Sequence, residues 1–242
     1  IDADGALLMD ADTGQVLFEK NGYSRMYPAS ITKIMTGMLA MEHLNRDDIV
    51  IASADALRTS YDSTTANIQL GERLTVDQTM YAMMLKSANE AANILAEATS
   101  GTIDAFVELM NERAYELGAQ STRFSNAHGL PSDTHYTTAY DMALITQQAI
   151  QTPGFMGYFG ASRYSMPATN KYSARSFTNA HPMLVPGSSS YDARVIGGKT
   201  GYTGQAGYTL VTVAQDAGRT LICVVLQSDR EFYDTRTLLD YG

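Results

Sequence analysis

The stretch PASITKIMTGMLAMEHL at positions 28–44 places a serine and a lysine three residues apart at the start of an otherwise apolar segment. Residues three apart share one face of a helix, so the hydroxyl of Ser30 is expected beside the amine of Lys33. The apolar residues that follow form a face wide enough for a largely buried helix. A lysine in a buried helix needs a reason, and this pair is therefore a candidate for chemistry.

Composition limits the classes of function. The chain has 242 residues, of which 45% are hydrophobic, enough for a packed core in one large domain or two interleaved ones. Its formal charge of -9 would on average repel nucleic acid and anionic membranes, so neither is expected as the main partner. A small or neutral substrate fits this charge better.

The sequence predicts no metal site, no cofactor and no disulfide. Cys223 is the single cysteine and lies in RTLICVVL, which reads as a buried strand, so we expect a core residue. The four histidines form neither an H-E-x-x-H motif nor a pair at ligand spacing on a helix. No apolar run approaches the roughly 18 residues of a membrane span. No signal peptide opens the chain, so any export signal is expected to have been removed or never present.

The order of predicted elements indicates an α+β fold. A hairpin with a D-T-G turn precedes the Ser30 segment, and three strands and a closing helix follow position 194. We expect the two ends to pair in one antiparallel sheet flanked by helices. Residues 1–50 and 191–242 would form a sheet-plus-helix subdomain and residues 51–190 an inserted, mostly helical one, together one catalytic domain. Clefts tend to form at such junctions.

Local signals predict the helices of the inserted part. Thr75 with Gln78 forms a capping-box pattern ahead of a helix that breaks near Ser87. Another predicted helix ends at Gly118, and one more covers 139–150. The segment 154–190 is rich in Tyr, Ser, Pro and Asn and is expected to carry only short strands.

Two further short motifs join the serine and lysine. Ser87-Ala88-Asn89 falls at the predicted break between two helices, and Lys199-Thr200-Gly201 falls on a glycine-rich strand at the edge of the C-terminal sheet. Each motif alone is a common turn or strand end. The K-T-G motif is the rarest, because the chain has only five lysines. All three in this order are uncommon in an unrelated chain.

The ordered motifs S-x-x-K, S-x-N and K-T-G resemble those of the penicillin-recognising serine enzymes. Within that superfamily the chain is similar to the low-molecular-mass penicillin-binding proteins, the serine-type D-alanyl-D-alanine carboxypeptidases, from about position 6 to position 242. The stretches that carry the likeness are PASITKIMT, FSNAHGLPSDTHYTTAYDMA, GGKTGYTGQAGYTLVTVA and TLLDYG. The resemblance implies a beta-lactamase/transpeptidase-like fold.

The resemblance also implies an activity and its partners. The protein would remove the terminal D-Ala from peptidoglycan stem peptides through an acyl-enzyme, and beta-lactam antibiotics would acylate it as covalent inhibitors. It would act outside the cytoplasm, in the cell wall or periplasm, with any membrane anchor lying outside this chain.

By the same resemblance, the motifs divide into a catalytic group and a substrate-binding group. Ser30 would attack the carbonyl of the penultimate D-Ala, Lys33 would receive its proton, and Ser87 would relay a proton between Lys33, Lys199 and the leaving amine. A lysine can act as a base only when its amine is neutral near pH 7, and burial and a second cation both favour that state.

The substrate-binding group holds the peptide in place. Asn89 would bind Lys33 and the substrate peptide, and Lys199 and Thr200 would hold the terminal carboxylate. Gly201 would let the substrate lie against the strand. The backbone N–H groups of Ser30 and Tyr202 would form the oxyanion hole.

Three positions depart from the usual pattern of the family. The second motif is SAN where S-G-N is frequent, and Tyr202 stands where His is frequent. The first change keeps the turn, and the second leaves the backbone donor in place. In REFYDT, Arg230 is one position earlier than the family's arginine, so a role for it in binding the carboxylate is not expected.

Two other functions fit part of the pattern. A class A-like beta-lactamase shares the three motifs but requires a deacylating glutamate in an E-x-x-L-N loop. No such sequence is present, and Glu108 in VELMNERAYELG has the wrong spacing. A non-catalytic module that binds stem peptides is the other alternative, and an intact Ser30, Lys33 and Ser87 argues against it.

Overall fold

The structure is a computed structural model that describes residues 1–60 and 63–242. Its strands are β1 (Gly5–Asp10), β2 (Val16–Lys20), β3 (Ile49–Ile51), β4 (Arg73–Thr75), β5 (Arg163–Met166), β6 (Arg175–Thr178), β7 (Val195–Thr203), β8 (Gly207–Asp216) and β9 (Arg219–Leu226). Its helices are α1 (Lys33–His43), α2 (Val76–Lys86), α3 (Asn89–Ser100), α4 (Ile103–Glu116), α5 (Ala139–Ala149), α6 (Phe155–Phe159) and α7 (Glu231–Tyr241).

One antiparallel sheet joins the two ends of the chain. Its strand order is β2-β1-β9-β8-β7, and β1 pairs with β9 from Gly5 opposite Leu226 to Asp10 opposite Leu221. Helices pack on both faces of this sheet. The predicted α+β class and the pairing of the two ends are therefore confirmed, and β7, which carries the K-T-G motif, is an edge strand as expected.

The two faces of the sheet enclose separate cores. Alternate residues of a strand point to opposite faces, and in β1 Leu7 and Met9 join the large core shared with α1, α2, α3 and α5. Ala6 and Leu8 instead join a smaller core with Leu238 and Leu239 of α7. Cys223 is buried in this smaller core, as predicted.

The regular structure of residues 51–190 is mostly helical, and the helix boundaries predicted there hold closely. The capping box at Thr75 is formed, because its hydroxyl accepts from the Gln78 N–H while the Gln78 side chain accepts from the Thr75 N–H. Gly118 has φ +81° just after α4, the left-handed conformation that glycine adopts without strain. The chain leaves α2 at Ser87, also as predicted.

The segment 154–190 contains more than the predicted short strands. In addition to β5 and β6 it contains the short helix α6, which the sequence reading missed. Phe155, Tyr158 and Phe159 lie three and four residues apart and are all buried, against α2 and β7. Burial of this aromatic face explains the helix despite the surrounding glycines.

The predicted division into two subdomains stays a prediction. The short strand β3 spans its boundary at position 50, and α5, from the inserted part, packs on β1 and β9 of the large sheet. Among the described residues, no helix is both long and apolar enough to cross a membrane.

Candidate active site

Ser30 lies in a short 3-10 turn, Ala29–Thr32, that leads directly into α1. The helix α1 therefore begins at Lys33, and the serine lies in the turn that precedes it. A 3-10 turn has three residues per turn, so side chains three apart are eclipsed. The result is the predicted proximity, with Ser30 Oγ 3.0 Å from Lys33 Nζ.

Two glycines allow the backbone around Ser30 to pack closely. A Cβ atom on Gly201 of β7 would lie 2.8 Å from the backbone nitrogen of Ser30, closer than real side chains approach. A Cβ on Gly129, which has φ +101°, would overlap the carbonyl oxygen of Ala29. Ala29 itself has φ +51°, a strained value for a residue with a side chain. The turn is thus held between β7 and the loop at position 129.

Lys33 is fully buried and has three hydrogen-bonding neighbours. Its Nζ lies 2.7 Å from Asn89 Oδ1, 2.6 Å from the carbonyl oxygen of His128 and 3.0 Å from Ser30 Oγ. The first two are oxygens that can only accept hydrogen bonds. A neutral amine has two N–H groups and one lone pair, so it can donate to these two acceptors and accept from the Ser30 hydroxyl. The geometry suits a lysine that receives the serine proton.

The electrostatic surroundings of Lys33 also favour its neutral amine. Burial is the main cause that lowers the pKa of Lys33 well below its usual range, and the nearby charge of Lys199 lowers it further. The carboxylate of Glu90 acts in the opposite direction. Both causes of the lowering were predicted from the sequence.

Lys199 pairs with the second motif. Its Nζ donates to Ser87 Oγ at 3.0 Å and to the Thr200 carbonyl oxygen at 2.9 Å. Among the described residues these are its only acceptors, which leaves a third N–H for a ligand. Burial lowers the pKa of Lys199 to about 7, so a bound anion would be expected to favour its charged form.

Ser87 lies at the C-terminal end of α2 with φ +62°, in the left-handed region. This conformation turns the chain abruptly into α3, which Asn89 begins. The hydrogen bond between Ser87 and Lys199 is present, but among the described residues Lys33 makes no hydrogen bond to Ser87. The expected bridge from Ser87 to Lys33 therefore stays a prediction.

A cavity of about 560 Å³ opens over the serine. Of the predicted residues, Ser30, Asn89 and Tyr202 line it. The remaining lining mixes polar and apolar residues and comes from Ser60, Ser63, Thr64, Gly129, Leu130, Pro131, Thr203, Gly204 and Gln205. Lys33 and Lys199 are buried beside it, and Thr200 and Gly201 follow Lys199 on β7. The three motifs thus meet at one cleft between the sheet and the inserted helices.

Three residues that shape the site were not predicted from the sequence. The His128 carbonyl binds Lys33, Gly129 admits the Ser30 turn, and the buried hydroxyl of Thr209 on β8 donates to the Pro28 carbonyl at 2.8 Å. The first two lie in FSNAHGLPSD, a stretch that carried the resemblance without a role assigned to it. Backbone carbonyl contacts of this kind leave no signal in residue type.

Two buried histidines, His135 and His181, bind threonine hydroxyls instead of lining the cavity. Burial lowers the pKa of His135 to about 4, and its Nε2 lies 2.8 Å from Thr32 Oγ1. Burial lowers the pKa of His181 to about 3, and its Nε2 lies 2.8 Å from Thr212 Oγ1. Within residues 1–60 and 63–242, no three histidine, cysteine, aspartate or glutamate side chains are grouped as metal ligands.

The chain is similar to known proteins that belong to one enzyme family. The chain matches the profile of the Peptidase_S11 family, described as D-alanyl-D-alanine carboxypeptidase, over residues 1–230. It belongs to this family. The resemblance predicted from the motifs is therefore confirmed at the level of the family.

Among curated members of the family, the chain is 36% identical to the D-alanyl-D-alanine carboxypeptidase DacF of Bacillus subtilis, over 93% of this chain and 57% of the relative. It is 33% identical to DacA of Escherichia coli K12, over 93% of this chain and 56% of the relative. The chain therefore spans somewhat more than half the length of these relatives.

Solved structures share the fold. A mutant of the Streptomyces K15 DD-transpeptidase superposes with a TM-score of 0.92 at 28% identity, covering 100% of this chain and 98% of that one. A D-alanyl-D-alanine carboxypeptidase from Mycobacterium tuberculosis superposes with a TM-score of 0.90 at 28% identity, covering 100% and 90%. The predicted beta-lactamase/transpeptidase-like fold is confirmed by these penicillin-binding peptidase structures.

Proposed function

We propose that the chain is the catalytic part of a serine D,D-carboxypeptidase that removes the terminal D-Ala from peptidoglycan stem peptides. The observation that carries this proposal is the contact between Ser30 Oγ and Lys33 Nζ at 3.0 Å, with the two other neighbours of Lys33 able only to accept hydrogen bonds. This is the pairing of a nucleophile with its base that acyl transfer requires.

In the first step the Ser30 oxygen attacks the carbonyl carbon of the penultimate D-Ala, and Lys33 takes the hydroxyl proton. The new bond is the ester of the acyl-enzyme, and the bond that breaks is the amide to the terminal D-Ala. The leaving nitrogen needs a proton, and Ser87 relays the one that Lys33 took from the serine, so Lys199 keeps its charge. Water then hydrolyses the ester and restores the serine.

Substrate binding uses the K-T-G strand. The free third N–H of Lys199 and the hydroxyl of Thr200 hold the terminal carboxylate, by charge and by hydrogen bond. The open edge of β7 allows the stem peptide to lie along it as an added strand, and Gly201 keeps this approach unobstructed. Asn89 keeps Lys33 in place and binds the peptide. The backbone N–H groups of Ser30 and Tyr202 stabilise the oxyanion.

The same site would react with beta-lactam antibiotics, which carry an acylating carbonyl and a carboxylate. Its natural partner would be the stem peptide ending in D-Ala-D-Ala, which places the enzyme outside the cytoplasm, in the cell wall or periplasm. A beta-lactamase is the less favoured alternative, because Glu108 lies on the exposed face of α4, and among the described residues no glutamate lines the cavity.

Intact-mass measurement after brief exposure to benzylpenicillin tests the proposal. We expect one adduct of the mass of penicillin, stable because no glutamate of the described residues lines the cavity, and no adduct on Ser30→Ala. A persisting adduct on Ser30→Ala would refute the assignment of the nucleophile, and rapid turnover of penicillin would favour the beta-lactamase.

A further inference from the structure

Glu90 immediately follows the second motif and is almost completely buried, with 2% of its surface exposed. Its Oε1 accepts from the backbone N–H of Ala66 at 2.6 Å and from that of Ile68 at 3.4 Å. Its Oε2 is buried without a hydrogen-bond partner among the described residues. A buried carboxyl with an unsatisfied oxygen is costly, so it calls for an explanation.

The segment that Glu90 holds is one wall of the active-site cavity. Residues 63–68 contribute Ser63 and Thr64 to the cavity lining, and the Asn89 N–H donates to the Thr64 carbonyl at 2.9 Å. The turn that carries Asn89 and Glu90 is therefore fastened to this wall twice, by a backbone bond and by a carboxylate. On its far side, Arg175 donates to the Ala66 carbonyl at 3.1 Å.

The Asn89 turn, which is bound to the 63–68 wall, also contacts Lys33, the proposed base. Asn89 Oδ1 lies 2.7 Å from Lys33 Nζ, and Glu90 is the next residue on α3, a helix that packs on α1. When Lys33 takes the serine proton it becomes a buried cation, and a buried cation needs a nearby negative charge. The charged and titratable side chains that act on Lys33 are Lys199, His128, His135 and Glu90. Among the described residues, Glu90 is the only one of these that can carry a negative charge.

We propose that Glu90 is a positioning residue that fastens the 63–68 wall to the Asn89 turn and supplies the buried negative charge against which Lys33 gains its proton. Oε2 has no donor among the described residues, so in this proposal the charge of protonated Lys33 offsets the charge of the carboxylate. This inference rests on the proposed function, since it assigns a helper to the proposed base.

Two opposing influences act on the charge of Glu90 itself. Burial is the larger and raises its pKa, while the N–H donors of the wall and the charge of Lys33 lower it. Loss of the wall contacts would therefore favour the neutral acid. The fastening of the wall and the negative charge are thus linked in one side chain.

Two substitutions separate the charge of Glu90 from the length that its side chain needs to contact the 63–68 wall. Glu90→Gln keeps the length and one accepting oxygen but removes the charge, and Glu90→Asp keeps the charge but is too short for the wall. The readout is the pH dependence of the second-order rate of labelling by a fluorescent penicillin. Glu97→Gln is the matched control, because Glu97 lies about two turns further along α3 and its carboxylate binds Ser53 instead.

We expect Glu90→Gln to move the acid limb of the profile to lower pH by roughly one unit, because removal of a nearby negative charge lowers the pKa of Lys33. Its plateau rate should fall by up to about tenfold, the equivalent of one pKa unit. Glu90→Asp should move the acid limb less than Glu90→Gln does, because the shorter carboxyl can still ionise without the wall donors, and it should expose the amides of Ala66 and Ile68 to faster hydrogen exchange. Glu97→Gln should match the parent in both measurements.

A measurement on the unaltered protein covers the case in which a variant does not fold. The ¹³C shift of the Glu90 carboxyl carbon should be that of a carboxylate between pH 6 and 8. A neutral acid in this range, or an acid limb that Glu90→Gln leaves unmoved, would overturn the proposal. If the parent protein were not labelled at all, the proposed function would fail instead, so the two failures are distinguishable.

Discussion

Lys199 Nζ and Ser87 Oγ lie 3.0 Å apart although 112 residues separate them in the sequence. The contact joins β7, the edge strand of the sheet, to the C-terminal end of α2. Ser87 reaches this position because its backbone is left-handed, with φ +62°. This conformation costs a residue with a side chain about 1–2 kcal/mol. We infer that the Ser87 hydroxyl has a function that outweighs this cost.

Replacement of Ser87 by glycine should therefore separate activity from stability. Ser87→Gly removes the proposed proton relay, so kcat/KM for a D-Ala-D-Ala peptide should fall by about 10²–10⁴-fold. The melting temperature should stay level or rise by a few degrees, because glycine adopts a positive φ without strain. Peptide hydrolysis and thermal unfolding measured on the same sample check this. Parent-level hydrolysis would exclude Ser87 from the relay.

A methyl group at position 201 should disable the nucleophile. In Gly201→Ala the new Cβ would overlap the Thr209 hydroxyl and lie 2.8 Å from the backbone nitrogen of Ser30. Displacement of a reacting group by about 1 Å costs on the order of 100-fold, so the rate of penicillin labelling should fall at least that far. Gly157→Ala is the control, because a Cβ there meets nothing within 4 Å. Equal labelling of the two variants would contradict the close packing of the Ser30 turn.

The neutral-amine state of Lys33 is open to a direct test. A guanidinium stays charged at any working pH, so Lys33→Arg cannot accept the serine proton. Penicillin labelling should fall by two orders of magnitude or more, in line with the roughly 10²–10⁴-fold worth of a general base. Near-normal labelling would require a different base, and Ser87 would be the next candidate.

Much of this arrangement could be read from the sequence, for identifiable reasons. Hydrophobic alternation, the capping box at Thr75 and the glycine after α4 are local signals, and they predicted the strands of the large sheet and the helices other than α6. The proximity of Ser30 and Lys33 also follows from local spacing. In contrast, some contacts join a side chain to a backbone group of a distant segment. Lys33 contacts the His128 carbonyl in this way, and Glu90 binds the backbone N–H groups of Ala66 and Ile68. Any residue type supplies such groups, so the sequence gives no sign of them.

Buried histidines should make the protein sensitive to acid. The pKa of His181 in the native state is lowered to about 3 by burial, against about 6.5 in an unfolded chain. Between these values the unfolded state binds a proton that the native state does not, so the free energy of unfolding falls as pH falls below about 6.5.

His181→Gln should flatten this decline by up to about 1.4 kcal/mol per pH unit, the contribution of one proton. Glutamine keeps a polar group for Thr212 but does not titrate. Urea unfolding at several pH values between 4 and 7 measures the slope for both proteins. Identical slopes would mean that His181 is not held neutral in the native state.

The grip on a terminal carboxylate distinguishes a carboxypeptidase from an enzyme that cuts internal bonds. Lys199 has an N–H without a partner among the described residues, and Thr200 follows it on β7. A diacylated L-Lys-D-Ala-D-Ala peptide should release D-Ala, and its C-terminal amide should react much more slowly. Loss of a charge-assisted hydrogen bond is worth about 1.5–3 kcal/mol, or roughly ten- to a hundredfold in kcat/KM. Since the scissile bond is unchanged, the ratio of the two rates reports only the binding of the terminal carboxylate.

Thr200→Val should reduce this ratio while the melting temperature stays that of the parent. Equal rates for acid and amide would refute the carboxylate site and favour an endopeptidase.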